Sequence, residues 1–277
     1  MKISRGAVKT LRRGAFLIAL AAVVSFTFFG CSKKLRWPWS SKPRKAHREH
    51  AHVEKAPRAP RLAIIIDDLG NDPSEAKSVL ALPFPLTASV LPHHQYSAQT
   101  ADEAWRRGDQ VILHLPMQPV TDVVKPEAIE LRVGMSASQV RSDLVGMLAT
   151  VPHAIGVNNH EGSRATADPQ LMAELMPLLR ARGLFFIDSR TTAQTVAYSS
   201  AERAGVRAAS RKVFLDDTAT REAVLAQLDL AARDAVRDGS AIAIGHPHRE
   251  TIAALSEGVP RLEQRGIHVV FTSELVH

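Results

Sequence analysis

Acidic, amide and imidazole side chains follow five short apolar runs in the sequence, and these residue types bind metal ions or transfer protons. The runs and the polar residues that follow them are Leu62–Ile66 with Asp67 and Asp68, Val111–Leu113 with His114, Ala154–Val157 with Asn158, Asn159 and His160, Phe185–Ile187 with Asp188, and Ile242–Gly245 with His246 and His248. The carboxyl ends of parallel strands share one face of an α/β fold, and active sites are built there. We therefore expect these side chains to converge.

One carboxylate and two imidazoles among them form a set typical of catalytic zinc. Asp68, His114 and His160 would supply three ligands and leave an open position for water. A cation held there would lower the pKa of water and polarise a carbonyl group. Because adjacent carboxylates repel each other, we assign Asp68 to the metal and Asp67 to the role of general base. Two alternatives stay open: the Asp pair ends a strand and caps a helix near Pro73, or His114 is a core histidine.

The remaining candidates have roles in proton transfer or in substrate binding. His246 is the predicted general acid, because an imidazole can protonate a leaving nitrogen near neutral pH. His248 either binds substrate or begins the next helix. Asp188 orients a catalytic histidine, binds substrate or pairs with Arg190. The predicted substrate-binding or supporting residues are therefore Asn159, Asp188, Arg190 and His248.

The elements that must position these residues alternate along residues 61–277. About seven apolar runs, rich in Ile, Val, Leu and Phe, predict buried parallel strands. This alternation of strand and helix predicts a parallel α/β fold, closed as a barrel rather than left as an open sheet. The stretch Pro116–Gly134 lacks periodicity and is expected to be a loop over the site. The predicted helices are Ser136–Thr150, Asp168–Arg182 and Thr218–Asp238.

A pair of acids precedes the third predicted helix. Asp216-Asp217 stands immediately before Thr218. Short polar side chains at such positions accept hydrogen bonds from the free backbone N–H groups of the first turn. We expect Asp216 mainly to cap this helix.

Charge is distributed unevenly over the 277 residues. Residues 1–61 contain 15 Lys and Arg but 2 acidic residues, whereas the rest contains 20 Lys and Arg and 26 acidic residues. A nucleic-acid interface needs its basic charge on the folded surface, so nucleic acid is not an expected partner. We interpret residues 32–60 as a basic, Pro-rich, disordered linker that lies over anionic headgroups or cell-wall polymer.

Residues 1–31 have the pattern of an export segment. Five Lys and Arg precede residue 14, and the uncharged apolar run Ala15–Phe29 leads to Gly30-Cys31. This run is short for a membrane span, which needs about 20 residues, and fits a signal peptide better. Cys31, the only cysteine, resembles the lipidated residue of bacterial lipoproteins; an uncleaved anchor is the alternative. Both predict a domain tethered to the membrane and facing the periplasm.

Six segments carry a resemblance to the divergent polysaccharide deacetylases of bacterial envelopes, which are related to NodB-type deacetylases. They cover nearly all of residues 62–277 in the expected order. The segments are Ile-Ile-Ile-Asp-Asp-Leu-Gly at 64–70, His-Leu-Pro-Met-Gln-Pro at 114–119, Gly-Val-Asn-Asn-His-Glu-Gly-Ser at 156–163, Phe-Phe-Ile-Asp-Ser-Arg-Thr at 185–191, Val-Phe-Leu-Asp at 213–216 and Gly-His-Pro-His at 245–248.

The resemblance implies a distorted (β/α) barrel of about seven strands and a zinc site at Asp68, His114 and His160. By analogy with NodB-type enzymes, Asp67 would be the base and His246 the acid. Two features depart from the pattern. The histidine ligands come from different strands instead of one His-x-x-x-His segment, and Glu161 stands where the family suggests methionine, so it could tighten the metal site or pair with Arg164.

The expected activity is hydrolysis of N-acetyl or related acyl groups on an envelope polysaccharide or peptidoglycan-like glycan. The main alternative is a non-catalytic glycan-binding or scaffold protein on the same fold. A metal hydrolase that cleaves another bond, such as an O-ester, is a third possibility. Retention of both Asp67 and His246 favours an enzyme, because a binding protein does not need them.

Overall fold

The computed structural model describes residues 59–121 and 127–277. The predictions for the export segment, for Cys31 and for nearly all of the linker lie outside these ranges. Within the described residues, no helix is both long enough and apolar enough to cross a bilayer.

One parallel sheet forms the centre of the domain. Its strand order is β6-β5-β4-β3-β2-β1-β8-β7, and β9 also pairs with β1. The apolar runs predicted as strands are all part of strands. The bounds are β1 (Arg61–Leu69), β2 (Thr87–Val90), β3 (Gln110–Met117), β4 (Ala154–Glu161), β5 (Phe185–Asp188), β6 (Ala208–Ser210), β7 (Val213–Phe214), β8 (Ser240–Gly245) and β9 (His268–Val270).

Helices connect most of these strands and pack on the outer face of the sheet. The three predicted helices are confirmed, with a capping box at Ser136 and an Asp168 cap followed by proline. The helices are α1 (Pro73–Leu80), α2 (Ser97–Arg107), α3 (Ala137–Thr150), α4 (Pro169–Ala181), α5 (Ala197–Ala204), α6 (Arg221–Asp238) and α7 (Arg249–Gln264).

One capping prediction and one capping alternative are wrong. The N-cap of α6 is Thr220, whose hydroxyl accepts a hydrogen bond from Ala223 N, so Asp216 does not cap this helix. The N-cap of α1 is Asp72, so neither Asp67 nor Asp68 caps the helix that begins at Pro73. In both cases the capping residue is the polar side chain nearest the first turn, and the more distant acids remain available for the site.

The sheet curls into an open, distorted barrel. Its edge strands β6 and β7 are separated in the chain by only Arg211 and Lys212, so the two edges must lie close together. Inside, an apolar cluster includes Ile65, Ile112 and Ile244. Leu275 and Val276 belong to the same cluster, and the C-terminal segment closes the barrel at the amino ends of the strands. The barrel predicted from the sequence is confirmed, with nine strands rather than about seven.

Beyond the apolar runs, β3 and β4 continue toward the carboxyl end of the barrel. Pairing extends from His114↔Asn158 to Met117↔Glu161, so His114 lies inside its strand and not at its end. The segment predicted as a loop over the site instead lies beside these strands, where Leu131 bridges to Met117. None of its described residues lines the candidate cavity.

Candidate active site and metal centre

The three predicted ligands meet above the barrel interior. Oδ1 of Asp68 lies 3.1 Å from Nε2 of His114 and 3.0 Å from Nδ1 of His160, and the two ring nitrogens are 3.1 Å apart. Atoms that bind one tetrahedral zinc ion stand roughly 3.3–3.5 Å apart. Oδ1 of Asp68 is buried and accepts no hydrogen bond within the described residues. These donor types and this buried, unsatisfied oxygen fit a divalent cation.

A break in β1 brings two adjacent aspartates to the same site. Successive side chains of a regular strand point to opposite faces, and Ile65 and Asp67 share the interior-facing parity. Asp68 should therefore face the helices. Its φ of 59° is in the left-handed region, and the register with β2 shifts between Ile66 and Leu69. This conformation is costly for a residue other than glycine and is typical of functional sites. It turns the Asp68 carboxylate toward the histidines.

Buried Asn158 connects the base to a metal ligand. Its Oδ1 lies 2.9 Å from Nδ1 of His114 and accepts a hydrogen bond of 2.7 Å from Ser89 Oγ. Its Nδ2 donates to Oδ1 of Asp67 at 2.8 Å and to Ser189 Oγ at 3.3 Å. The sequence analysis placed Asn158 among the converging side chains but gave it no specific role. The signal was its spacing: Asn158 and His160 are two residues apart in a strand and therefore share a face.

The charges of the ligand cluster reinforce one another. Burial opposes ionisation of Asp68, but the neighbouring His114 and His160 rings hold the pKa of its carboxyl well below the ordinary value. Burial likewise opposes protonation of His114, yet the charges of Asp67 and Asp68 raise the pKa of this imidazole. The cluster therefore stabilises positive charge at its centre.

His246 belongs to a second arrangement beside the ligand cluster, with its Nε2 3.9 Å from Oδ2 of Asp68. Its Nδ1 lies 2.9 Å from Oδ1 of Asp216, and its backbone N–H donates to Oδ2 at 2.6 Å. Thr251 Oγ1 donates to Oδ2 as well, at 2.8 Å. Burial disfavours the charged ring, but the hydrogen bond of the ring to Asp216 and the charges of Asp67 and Asp68 raise the pKa of His246 to about 9.

The absence of a side chain at Gly245 allows Asp216 and Thr251 to lie close to the backbone before His246. A Cβ at this position would lie 3.3 Å from Oδ2 of Asp216 and 3.1 Å from Cγ2 of Thr251. The hydrogen bonds from His246 and Thr251 also hold the pKa of Asp216 below its ordinary value, against the opposing effect of burial. Asp216 is therefore the charged partner of His246.

These groups surround a cavity of about 190 Å³. Asp67, Asp68, His114, His160 and His246 all line it, as the sequence predicted for one site. Five further residues complete the lining and could contact a ligand: Asn159, Glu161, Ser189, Thr191 and Phe214.

Of the other candidates, Asn159 lies in the cavity wall as predicted for a supporting residue, whereas Asp188 and His248 lie around the cavity. Asp188 lies on the same face of β5 as Phe186, which packs against the helices. It accepts hydrogen bonds from Arg190 N and Thr195 Oγ1, so it organises the loop before α5. The exposed His248 is the N-cap residue of α7, as one alternative proposed, although its side chain makes no capping hydrogen bond. Glu161 lines the cavity, but no ion pair links it to Arg164 in the described structure.

Comparisons with known proteins identify the family of the chain. A family model described as divergent polysaccharide deacetylase matches residues 64–276. An uncharacterized protein of Haemophilus influenzae is 43% identical over 204 residues, which cover 74% of this chain and 72% of that protein. The uncharacterized protein YibQ of Escherichia coli is 38% identical over 205 residues, which cover 74% of this chain and 64% of YibQ. The chain thus spans less than two thirds of YibQ.

Two crystal structures resemble the fold. An uncharacterized protein from Agrobacterium tumefaciens has a TM-score of 0.76 and 28% identity, covering 79% of this chain and 90% of that chain. A putative cellobiose-phosphate cleavage protein from Enterococcus faecalis has a TM-score of 0.55 and 15% identity, covering 79% and 100%. The second likeness concerns the fold alone.

Proposed function

Because the chain belongs to the divergent polysaccharide deacetylase family, we propose that it is a metal-dependent hydrolase of N-acetyl or related acyl groups. The proposed substrate is an envelope polysaccharide or a peptidoglycan-like glycan. The observation that carries this proposal is the cluster of Asp68, His114 and His160, whose ligand atoms lie within 3.1 Å of one another. Two further groups lie beside the cluster: Oδ2 of Asp67 is 3.7 Å from Nε2 of His114, and Nε2 of His246 is 3.9 Å from Oδ2 of Asp68.

The proposed cofactor is zinc, held by Asp68, His114 and His160. A divalent cation with two imidazole ligands and one carboxylate supplies Lewis acidity, which polarises a carbonyl and acidifies water. The fit rests on the buried Asp68 Oδ1, which has no hydrogen-bond donor in the described structure.

Asp67 and His246 would handle the protons of hydrolysis. Asp67 would take a proton from the attacking water as the C–O bond forms. His246, charged at neutral pH by its pairing with Asp216, would deliver a proton to the departing amine as the C–N bond breaks. General acid and base groups each contribute roughly 10²- to 10⁴-fold to such reactions. The products are the free amine on the sugar and acetate.

The test is acetate release by the purified full chain from N-acetylated chito-oligosaccharides and from peptidoglycan. We expect activity that a chelator removes and Zn²⁺ restores. Zinc and glycan binding without acetate release from any acetylated substrate would contradict the hydrolase and favour the glycan-binding alternative.

We also propose that the domain faces the periplasm, tethered through residues 1–31. The support is the basic start, the apolar run and Cys31 of the sequence. Labelling with radioactive palmitate should mark the wild type and not Cys31→Ser. A labelled Cys31→Ser chain would contradict lipidation at this residue, and a cytoplasmic domain would contradict the tether.

A further inference from the structure

The amide of Asn158 uses all of its hydrogen-bonding capacity inside the domain. The residue is fully buried. Its oxygen faces two partners, Ser89 Oγ at 2.7 Å and His114 Nδ1 at 2.9 Å. Its nitrogen donates to Asp67 Oδ1 at 2.8 Å and to Ser189 Oγ at 3.3 Å. A carboxamide has two donor hydrogens and an oxygen with two lone pairs, so every position is filled.

Asp67 determines which way this amide points. An ionised carboxylate only accepts hydrogen bonds. If the Asn158 amide were flipped, its oxygen would replace Nδ2 beside Oδ1 of Asp67, and two acceptors would face each other at 2.8 Å in a buried environment. Unpaired buried acceptors carry the full desolvation penalty. Serine hydroxyls could adapt to either orientation, so Asp67 is the partner that fixes the amide.

The orientation of the amide in turn determines the proton position on His114. With Oδ1 of Asn158 beside Nδ1, the neutral ring must carry its proton on Nδ1 to form this hydrogen bond. Nε2 is then left with a free lone pair, and Nε2 is the atom beside Asp68 Oδ1 and His160. A neutral imidazole binds a metal only through its unprotonated nitrogen, and the partner of the other nitrogen selects which one that is.

We propose that Asp67, acting through Asn158, is a positioning residue that keeps the single proton of the neutral His114 ring on Nδ1, so that Nε2 is available to a cation. The inference rests on the proposed function only for the identity of the cation. It gives Asp67 a role in metal affinity that is separate from its proposed role as base. It also means that metal binding depends on a carboxylate that belongs to no ligand set.

The first test needs no variant. Ring-¹⁵N histidine labelling of the full chain, without metal and at alkaline pH where the imidazoles are neutral, reports the tautomer of each ring by NMR. The His114 signals are assigned by their loss in His114→Gln. We expect the proton on Nδ1 of His114. A neutral His114 ring with its proton on Nε2 would overturn the proposal.

The second test separates the two roles of Asp67 by exchange of the carboxylate and the amide. Asp67→Asn removes the fixed acceptor, so the zinc dissociation constant should rise about 10- to 100-fold, as it does when other hydrogen-bond partners of metal ligands are removed. The double variant Asp67→Asn with Asn158→Asp restores a donor at 67 and an acceptor for His114 at 158. We expect it to recover most of the zinc affinity, while acetate release stays low because the base is absent.

A matched control is Thr87→Val, which removes the buried hydroxyl contact of Thr87 with Thr272 and touches neither His114 nor Asn158. Its zinc affinity should equal that of the wild type. Unchanged affinity in Asp67→Asn, or no recovery in the double variant, would overturn the proposal. None of these readouts requires acetate release, so failure of the proposed hydrolysis would be recognised separately.

Discussion

Two clusters of one carboxylate and two histidines flank the same cavity, but their carboxylates differ in hydrogen bonding. In the ligand cluster (Asp68, His114 and His160) the potential ligand atoms face one another, and the carboxylate oxygen lacks a hydrogen-bond donor in the described structure. In the proton cluster (Asp216, His246 and His248) both carboxylate oxygens have hydrogen-bond partners: the His246 backbone, the His246 ring and Thr251.

The difference shows that spacing alone does not define a metal site. Both clusters bring three ligand atoms within 4.8 Å. An oxygen with donors already in place gains little from a cation, because those hydrogen bonds must first be broken. An unsatisfied buried oxygen gains the full interaction. The ligand cluster is therefore suited to hold a cation, whereas the proton cluster is suited to hold a proton on His246.

The largest effect is expected from loss of a ligand. His114→Ala should reduce bound zinc to background and abolish acetate release. Even a partner of a ligand costs roughly 10- to 100-fold in affinity, and a direct ligand should cost more. Metal analysis of the purified full chain measures this, with His160→Ala as a second variant and His248→Ala as the control from the proton cluster. Wild-type zinc content in both ligand variants would remove this assignment.

The next effect concerns the proton cluster. His246→Gln should lower acetate release roughly 10²- to 10⁴-fold, the usual contribution of a general acid, because the departing amine then lacks a proton donor. Zinc content should stay at the wild-type value. If zinc were lost from this variant, His246 would belong to the metal site and the distinction between the clusters would fail.

A smaller effect should follow from Asp216→Asn, read as a pH profile of kcat/KM. Asp216 raises the pKa of His246, and the acid works only while protonated, so activity falls as pH rises through that pKa. Removing the charge lowers the pKa, and the alkaline limb should move down by about 1 pH unit. Thr251→Val removes one hydrogen bond to Asp216 but keeps the charge, so its shift should be smaller. An unmoved limb in Asp216→Asn would separate Asp216 from the acid.

The ligand cluster could be predicted because its signals are local. The apolar runs identify β1, β3 and β4, and parity within a strand places His114 with the interior residue Ile112. Convergence follows from parallel pairing. The backbone break at Asp68 left no such signal, because a positive φ at aspartate depends on what the carboxylate meets in three dimensions.

The proton cluster was only half predictable. His246 follows the apolar strand β8, but its partner Asp216 follows β7, a strand of two residues that is too short to show a periodicity. The pairing of Val213 with Ala243 that aligns them is non-local. Before a helix, Asp216 looks like a cap. The residue types near Asp216 in the sequence predicted the wrong role for it, because Thr220, which is nearer to the helix, is the N-cap.

The smallest effect is expected at Glu161, which lines the cavity but belongs to neither cluster. A partly exposed carboxylate is worth about 0–1 kcal/mol to a charged neighbour, which is up to about fivefold. Glu161→Gln should therefore keep zinc content and kcat, and lower KM for acidic glycans relative to neutral ones, because it removes repulsion beside the ligands. A fall in zinc content would instead add Glu161 to the ligand cluster. An unchanged KM ratio between acidic and neutral glycans would show that its carboxylate does not face the substrate.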